Sequence, residues 1–422
     1  MSEDEEVCPE CNQPNWWCKP CISTHFKNDF DKWTSGDEAI DKFIQDTQLV
    51  ANIDELKEWI PYDRFQDIKL IAKGGYGTIY HAKWIDGWIS GWDIENQQWK
   101  RKKSYMEVVL KKFDGIVNIN DEFLNELKVH FELTGYPKTH EYMMVLHYAS
   151  GGSLRNYLNN NFNNMDWVRK LIFLSNIANQ FSQIHERNIV HRDLHPGNIL
   201  KYYSDEEDTF LRISDFGLGK FIKENTKNPQ KDTISGVLPY IAPEVLIGEE
   251  YTKAADVYSF AFVAYEIITG LPPYNNVSHD NGLALKICNG FRPKIPIHTP
   301  KLITQIIMRC WDARITKRPT FEELHKELNK YLEDYRENKL ENNNEITIQI
   351  KEAEEFSKNQ TTDLKTTTTP MNYQTHPKAV YTSRLLKFSS LPEPQNEENF
   401  EKKLEEMTES FYKINDSDDD FF

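Results

Sequence analysis

No uninterrupted apolar segment of this 422-residue chain is long enough to cross a bilayer. The nearest candidate, "VYSFAFVAYEII" (Val257 to Ile268), is short and contains Glu266, so it reads as a buried core helix. The opening "MSEDEEVCPEC" has neither a basic region nor an apolar core and does not read as a signal peptide. With both signals missing, the expected location is the cytoplasm or the nucleus, where thiols stay reduced. Basic charge is in deficit: 50 Lys and Arg face 66 Asp and Glu, a net charge of −16. That balance argues against general nucleic-acid binding, because like charge repels phosphate. Internal repeats are missing as well, which removes solenoids and propellers.

What remains is a soluble, mostly globular composition, 39% apolar and 27% charged. Four regions follow: a Cys-rich head (1–25), a helical extension (26–62), a main globular region (63–335) and a tail (336–422). In the extension, Ile40, Phe43, Ile44 and Val50 recur at helical spacing after a Thr-Ser-Gly start. The tail, rich in Asn, Thr, Lys and Glu, cannot bury enough surface to fold alone and is expected to be mostly disordered. Its more apolar stretch "AVYTSRLLKFSSLPEP" either docks on the globular part or a partner, or is unstructured with chance hydrophobes.

In the head, "CPECNQPNWWCKPC" sets out Cys8, Cys11, Cys18 and Cys21 as two C-x-x-C pairs. Four thiolates suit tetrahedral Zn²⁺, and redox dithiols or unstructured thiols are the alternatives. Trp16 and Trp17 either cap that site or pack on neighbouring structure. Cys288 and Cys310 sit in helical patterns as core residues.

The chemistry starts at "IAKGGYGTIY", a Gly-rich turn between two alternating strands. Ala72 stands at the first Gly place, followed by Gly74, Gly75 and Gly77, whose backbone lets amides approach phosphates. In "EVVLKKF", Lys111 follows three apolar residues on a strand and can reach nucleotide phosphates. "DEFLNELKVH" places Glu126 on a helix, as an ion-pair partner for that lysine or as an ordinary surface charge. "IVHRDLHPGNIL" then offers Asp193 to accept a proton from a substrate hydroxyl and Asn198 as a metal ligand. "LRISDFGLGK" adds Asp215; one Asn, one Asp and phosphates suit Mg²⁺. "YIAPE" and "DVYSFA" follow in order, and chance does not assemble that series.

Carried by these motifs, the chain resembles eukaryotic protein kinases from about Asp63 to Glu333, closest to the tyrosine-kinase-like branch. The Cys-rich head, the "WTSG" stretch and "HPKAVYTSRLL" resemble an expanded fungal set of that branch. The resemblance implies an α+β bilobal kinase fold with ATP between a β-rich small lobe (63–149) and a helical large lobe (150–335). It implies that Lys111 and Glu126 pair, that Asp193 is the catalytic base, and that Asn198 and Asp215 hold magnesium. It further implies a hinge at "VLHYASGGSL", with Leu146 as gatekeeper and His147 and Ala149 bonding adenine, and Ile79, Val109 and Leu200 sandwiching the ring. Glu244 and Arg318 resemble the ion pair that braces the large lobe, and Asp256 the carboxylate behind the catalytic loop.

Departures from the pattern are Val109 for the usual Ala, His130 at an apolar place and Ala261 for a Gly; none removes a charged catalytic group. His195 matches neither the Ser/Thr pattern nor the Tyr one, and reads as a partly protonated phosphate contact or a solvent-facing residue. Arg192, before Asp193, implies regulation: phosphate on Thr233 or Ser235 pairing with Arg192 and Lys220. The expected activity is transfer from ATP to protein Ser or Thr hydroxyls, Tyr in addition being open; the alternative is an ATP-binding pseudokinase scaffold. Partners are protein substrates and anything docking on the head, the tail, or a Trp-rich hairpin (Trp84, Trp88, Trp92, Trp99) whose turn is set at Asp86-Gly87 and whose tryptophans pack on the small lobe. "KRKK", Lys100 to Lys103, is either a nuclear signal, an anion patch or a solvated hairpin face.

Overall fold

The computed structural model describes residues 7–14, 17–50, 56–74, 77–102, 105–112, 132–136, 141–202, 210–215, 234–338, 344–363 and 374–415. Gly75, Glu126, His130, Lys220, Thr233, Trp16 and Lys103 lie outside them. Two compact units meet in the chain between Tyr148 and Ala149.

The first unit opens with helices α1 (Lys19–Lys27) and α2 (Glu38–Val50). Asp37 Oδ1 caps α2 by accepting the Ala39 N–H (2.8 Å). Ile40, Phe43 and Ile44 are buried as their spacing predicts, but Val50 is exposed and Gln48 takes the buried place in the last turn. Gln48 is held there by its side-chain amide donating to Lys57 O (2.9 Å).

Strands β1 (Phe65–Gly74) and β2 (Gly77–Trp84) form the expected hairpin. The small hairpin β3 (Ile89–Asp93) and β4 (Gln98–Arg101) follows, then β5 (Met106–Lys112), β6 (Glu132–Tyr136) and β7 (Glu141–His147). The sheet order is β1-β2-β5-β7-β6, antiparallel throughout. Alternation divides its faces. Val108 and Leu110 join Ala82, Trp84, Met143, Val145, Ile60 and Phe65 in one core. Fully burying such side chains stabilises the unit by about 1.5–3 kcal/mol each.

Asp86-Gly87 is not the turn of the inserted hairpin. It makes the corner from β2 into β3, with Gly87 at φ 66°, and a Cβ there would come within 2.4 Å of Lys102 O. The hairpin turns at residues 94–97, where Asp93 Oδ1 accepts the N–H groups of Glu95 (3.1 Å) and Asn96 (3.2 Å). Its tryptophans divide. Trp84 and Trp88 pack on the sheet core, while Trp92 and Trp99 pack with Trp17 and Ile22 of the head and with Phe26, further along α1. Of the basic run, Arg101 is an ion-pair residue, its Nη2 donating to Glu58 Oε1 (2.6 Å).

The second unit is mainly helical: α3 (Leu154–Asn161), α4 (Trp167–Glu186), α5 (Pro243–Leu246), α6 (Lys253–Thr269), α7 (Asn281–Cys288), α8 (Lys301–Cys310) and α9 (Phe321–Asn338). Between α4 and α5 lie the antiparallel pair β8 (Ile199–Tyr202) and β9 (Phe210–Ile213), then β10 (Ile234–Gly236). The "VYSFAFVAYEII" stretch lies in α6, buried on nearly every side and closed by Gly270 at φ 68°. Cys288 and Cys310 are core residues. Among the described residues no helix is long and apolar enough to cross a membrane.

Within the tail, helix α10 (Glu345–Asp363), strand β11 (Arg384–Leu386) and helix α11 (Phe400–Asn415) are formed. More of the tail is structured than its composition alone predicts, because the lobe supplies the missing apolar surface. Ile346, Ile350, Leu386 and Phe400 are its buried anchors, and β11 pairs antiparallel with β10.

Candidate functional site

In the first unit the residues expected at a nucleotide lie on one sheet. Register places Ala72 opposite Ile79, Ile79 opposite Lys111 and Val109 opposite Leu146. Val109 and Lys111 alternate with the core residues Val108 and Leu110, so they occupy the other face. Gly74 pairs with Gly77 at the hairpin end, Lys111 is buried, and His147 ends β7 exposed.

In the second unit, the loop before β8 is fixed from behind by Asp256 on α6. Its Oδ2 accepts the His191 N–H (2.9 Å) and bonds His185 Nε2 (2.9 Å), and its Oδ1 accepts the Arg192 N–H (3.1 Å). Arg192 has φ 71°, a conformation that costs a non-glycine residue energy unless neighbours hold it. Its Nε makes no hydrogen bond among the described residues.

The β8–β9 pairing of Ile199 with Ile213 brings residue 198 beside residues 214 and 215. Asn198 O accepts from Ser214 N (2.8 Å) and Ser214 Oγ (3.0 Å), and His191 Nε2 donates to Ser214 O (2.8 Å). Asp215 follows with φ 65°. Asn198 Nδ2 donates to Asp193 O (2.9 Å) and approaches Asp193 Oδ2 at 3.4 Å. Three oxygen-bearing side chains thus share one loop cluster with a short β pair as its base. Burial raises the Asp193 pKa, opposed by the hydrogen bond from Ser383 and by His191. Ala149 is buried where the second unit begins, and Leu200 is half-buried on β8.

His195 fits neither of its sequence readings. It is buried, and burial, then Arg155, then His191 hold its pKa well below the ordinary value, so the ring is neutral. Its Nδ1 accepts the Gly197 N–H (3.0 Å) and so caps the turn at Pro196–Asn198. Its Nε2 lies 3.1 Å from Ser383 Oγ and 3.7 Å from Asp193 Oδ1.

Arg318 and Glu244 form a buried bidentate pair (2.6 and 2.8 Å), with Arg318 also donating to Asp312 O (2.7 Å) and Ala254 O (3.0 Å). Ser235 lies in β10 opposite Leu385. Sequence reasoning passed over Arg155, whose guanidinium joins Glu266 (3.0 Å) and the Tyr240 hydroxyl (2.6 Å). The signal was a lone glutamate in the most apolar helix, since a buried carboxylate calls for a cationic partner. It passed over Ser383 too, whose hydroxyl donates to Asp193 Oδ2.

In the head, the Sγ atoms of Cys8, Cys11, Cys18 and Cys21 lie within 4.8 Å of one another. The Asn12 N–H donates to Cys8 O (2.9 Å), closing the first pair into a turn, and Cys18 stands at the N-cap of α1 with Cys21 in the first turn. Four sulfurs around Zn²⁺ at about 2.3 Å stand about 3.8 Å apart, a spacing bracketed by the 3.4 Å between the Cys11 and Cys18 sulfurs and the 4.8 Å limit of the cluster, so the cluster fits that ion. Burial, then hydrogen bonds with Cys11, Cys18 and Cys8, raise the Cys21 pKa; a divalent cation reverses that direction.

A β-sheet unit bearing the glycine hairpin and Lys111, followed along the chain by a helical unit presenting Asp193, Asn198 and Asp215, is the order of parts of the protein kinase class. The chain belongs to the protein tyrosine and serine/threonine kinase family, which matches residues 65–328. It is 31% identical over 317 residues to a serine/threonine-protein kinase/receptor of Acanthamoeba polyphaga mimivirus, covering 71% of this chain and 18% of that protein. It is 32% identical over 269 residues to the serine/threonine-protein kinase VIK of Arabidopsis thaliana, covering 62% of this chain and 59% of that one. To the dual specificity protein kinase splA of Dictyostelium discoideum it is 29% identical over 281 residues, 63% of this chain and 11% of that protein. The chain therefore spans less than two thirds of the length of each of these relatives, and under a fifth of two of them.

Proposed function

We propose that this chain is a magnesium-dependent protein kinase that transfers the γ-phosphate of ATP to Ser or Thr hydroxyls of protein substrates. The observation that carries the reading is the loop cluster in which Asp256 and the β8–β9 pair hold Asp193, Asn198 and Asp215 together. Mg²⁺ bound by Asn198 and Asp215 would neutralise charge on the transferring phosphoryl group. Lys111 anchors the phosphates and Glu126 orients it; Ala72, Gly74, Gly75 and Gly77 cover them. Ile79, Val109, Leu146, His147, Ala149 and Leu200 take the adenine. Asp193 accepts the acceptor's proton, and burial makes it a stronger base than an exposed aspartate. Glu244 and Arg318 brace this frame and Asp256 positions it.

The head, on this reading, is a structural zinc knuckle, supported by its four clustered sulfurs. Its motif and "HPKAVYTSRLL" favour the tyrosine-kinase-like branch and a fungal-type set within it. Arg192 favours control through Thr233 or Ser235, with Lys220 as second cation. The test is incubation of the full chain with labelled ATP, Mg²⁺ and mixed Ser, Thr and Tyr peptides. Phosphoserine and phosphothreonine are expected; phosphotyrosine alone, or no product, overturns the reading.

A further inference from the structure

The second unit carries a segment of its own chain beside Asp193. The His376 N–H donates to Asn275 O (2.8 Å), and the His279 N–H to Lys378 O (3.2 Å). The Val380 N–H donates to His279 Nδ1 (3.1 Å). Tyr381 is held three ways: its hydroxyl donates to Pro273 O (2.8 Å), its carbonyl accepts from Arg155 Nη1 (3.0 Å), and its ring lies 5.0 Å from that guanidinium. Arg384 donates to His279 O (2.8 Å). The chain then joins β10 as strand β11, with Gly236 opposite Arg384, Ser235 opposite Leu385 and Ile234 opposite Leu386. This is strand addition, in which backbone bonds hold a peptide and side-chain pockets set its register.

That register delivers one hydroxyl to the base. Ser383 donates to Asp193 Oδ2, and His195 Nε2 stands 3.1 Å from the same Oγ. Since His195 Nδ1 accepts from Gly197, the neutral ring carries its proton on Nε2 and donates it to Ser383 Oγ. The serine's own proton is thereby aimed at the carboxylate. The neighbouring hydroxyls are placed otherwise: Thr382 is exposed and Tyr381 is tied to Pro273.

We infer that residues 376–386 are a tethered substrate of this kinase and that Ser383 is its cis-phosphorylation site. The inference rests on the kinase reading above. Ser383 Oγ forms the bond to the γ-phosphorus of ATP as the bond from that phosphorus to the β-phosphate oxygen breaks. ADP leaves with the electron pair, and the hydroxyl proton passes to Asp193. Once Asp193 has released that proton to solvent, the product phosphate, with about −1.5 to −2 charge, faces a carboxylate, so the phosphorylated segment is repelled from its seat.

The test uses the full chain with ATP and Mg²⁺ at protein concentrations spanning an order of magnitude, with Ser/Thr peptides offered in parallel. Mass spectrometry maps the modified residues over time. The expected result is phosphate on Ser383, appearing with a first-order rate constant that does not change with protein concentration, and lost in Ser383→Ala. Peptide phosphorylation with Ser383 unmodified overturns the inference and leaves the kinase reading standing. So does modification of Ser383 with an apparent first-order rate constant that rises in proportion to protein concentration, which means transfer between molecules. Transfer to neither acceptor overturns both.

Discussion

At the scale of single residues, Asp256 accounts for the backbone of the candidate catalytic loop. It accepts the N–H groups of His191 and Arg192 and thereby holds Arg192 at φ 71°. Glu244 and Arg318 illustrate a different economy. Both are almost fully buried and satisfy one another in bidentate fashion, so the pair persists only as a pair. Glu244→Ala leaves a buried guanidinium half unmatched and should destabilise the unit by about 3–5 kcal/mol. Urea unfolding of the purified protein measures this, and Glu244→Ala with Arg318→Leu should recover part of the loss; a single-variant cost below about 1 kcal/mol contradicts the buried-pair account. These residues were legible in the sequence because each sits inside a short motif. Ser383 was not, because its partner Asp193 is 190 positions away and nothing local marks a serine for such a contact. His195 was misjudged for a similar reason. Its burial depends on Tyr240, whose ring lies 6.0 Å away, and on the tail, both remote in sequence.

At the scale of elements, alternation and helical spacing gave the β1–β2 hairpin, the Lys111 strand and the buried α6. The inserted hairpin was legible in existence and wrong in its turn, because Asp-Gly serves a corner between strands as well as a two-residue turn. Where its tryptophans go was not legible: Trp92 stacks on His25 at 3.9 Å and Trp99 on Phe26 at 4.1 Å, and nothing in the hairpin's sequence names the head as its neighbour. The head has few apolar residues of its own, so its four sulfurs and these rings carry its order together. One Zn²⁺ per chain is expected by elemental analysis. Removing it with a strong chelator should expose Trp17, Trp92 and Trp99, red-shifting the tryptophan emission and opening residues 7–50 to protease. Full-length protein with no bound zinc, or with emission indifferent to chelation, contradicts the zinc knuckle.

At the scale of the whole molecule, the tail shows how composition can be read correctly and still under-describe a chain. Residues 344–363 and 374–415 hold their structure against surface supplied by the large lobe, where Leu386 and Phe400 bury themselves. Composition judged the segment alone, and alone it has too little to bury. The proposed catalytic cluster was legible in the opposite way: its parts are dispersed along the chain but their order is distinctive, and folding brings Asp193, Asn198 and the Ser214–Asp215 step together. The account's central claim is that Asp193 takes the acceptor proton while other groups bind the nucleotide. Replacing the carboxylate with an amide removes the base and keeps the side chain's size, so the most direct measurement compares labelled phosphate transfer by the wild type and Asp193→Asn, with nucleotide binding followed on both. The account predicts a loss of about 10²–10⁴-fold in transfer rate with nucleotide affinity retained; transfer by Asp193→Asn at the wild-type rate would contradict it.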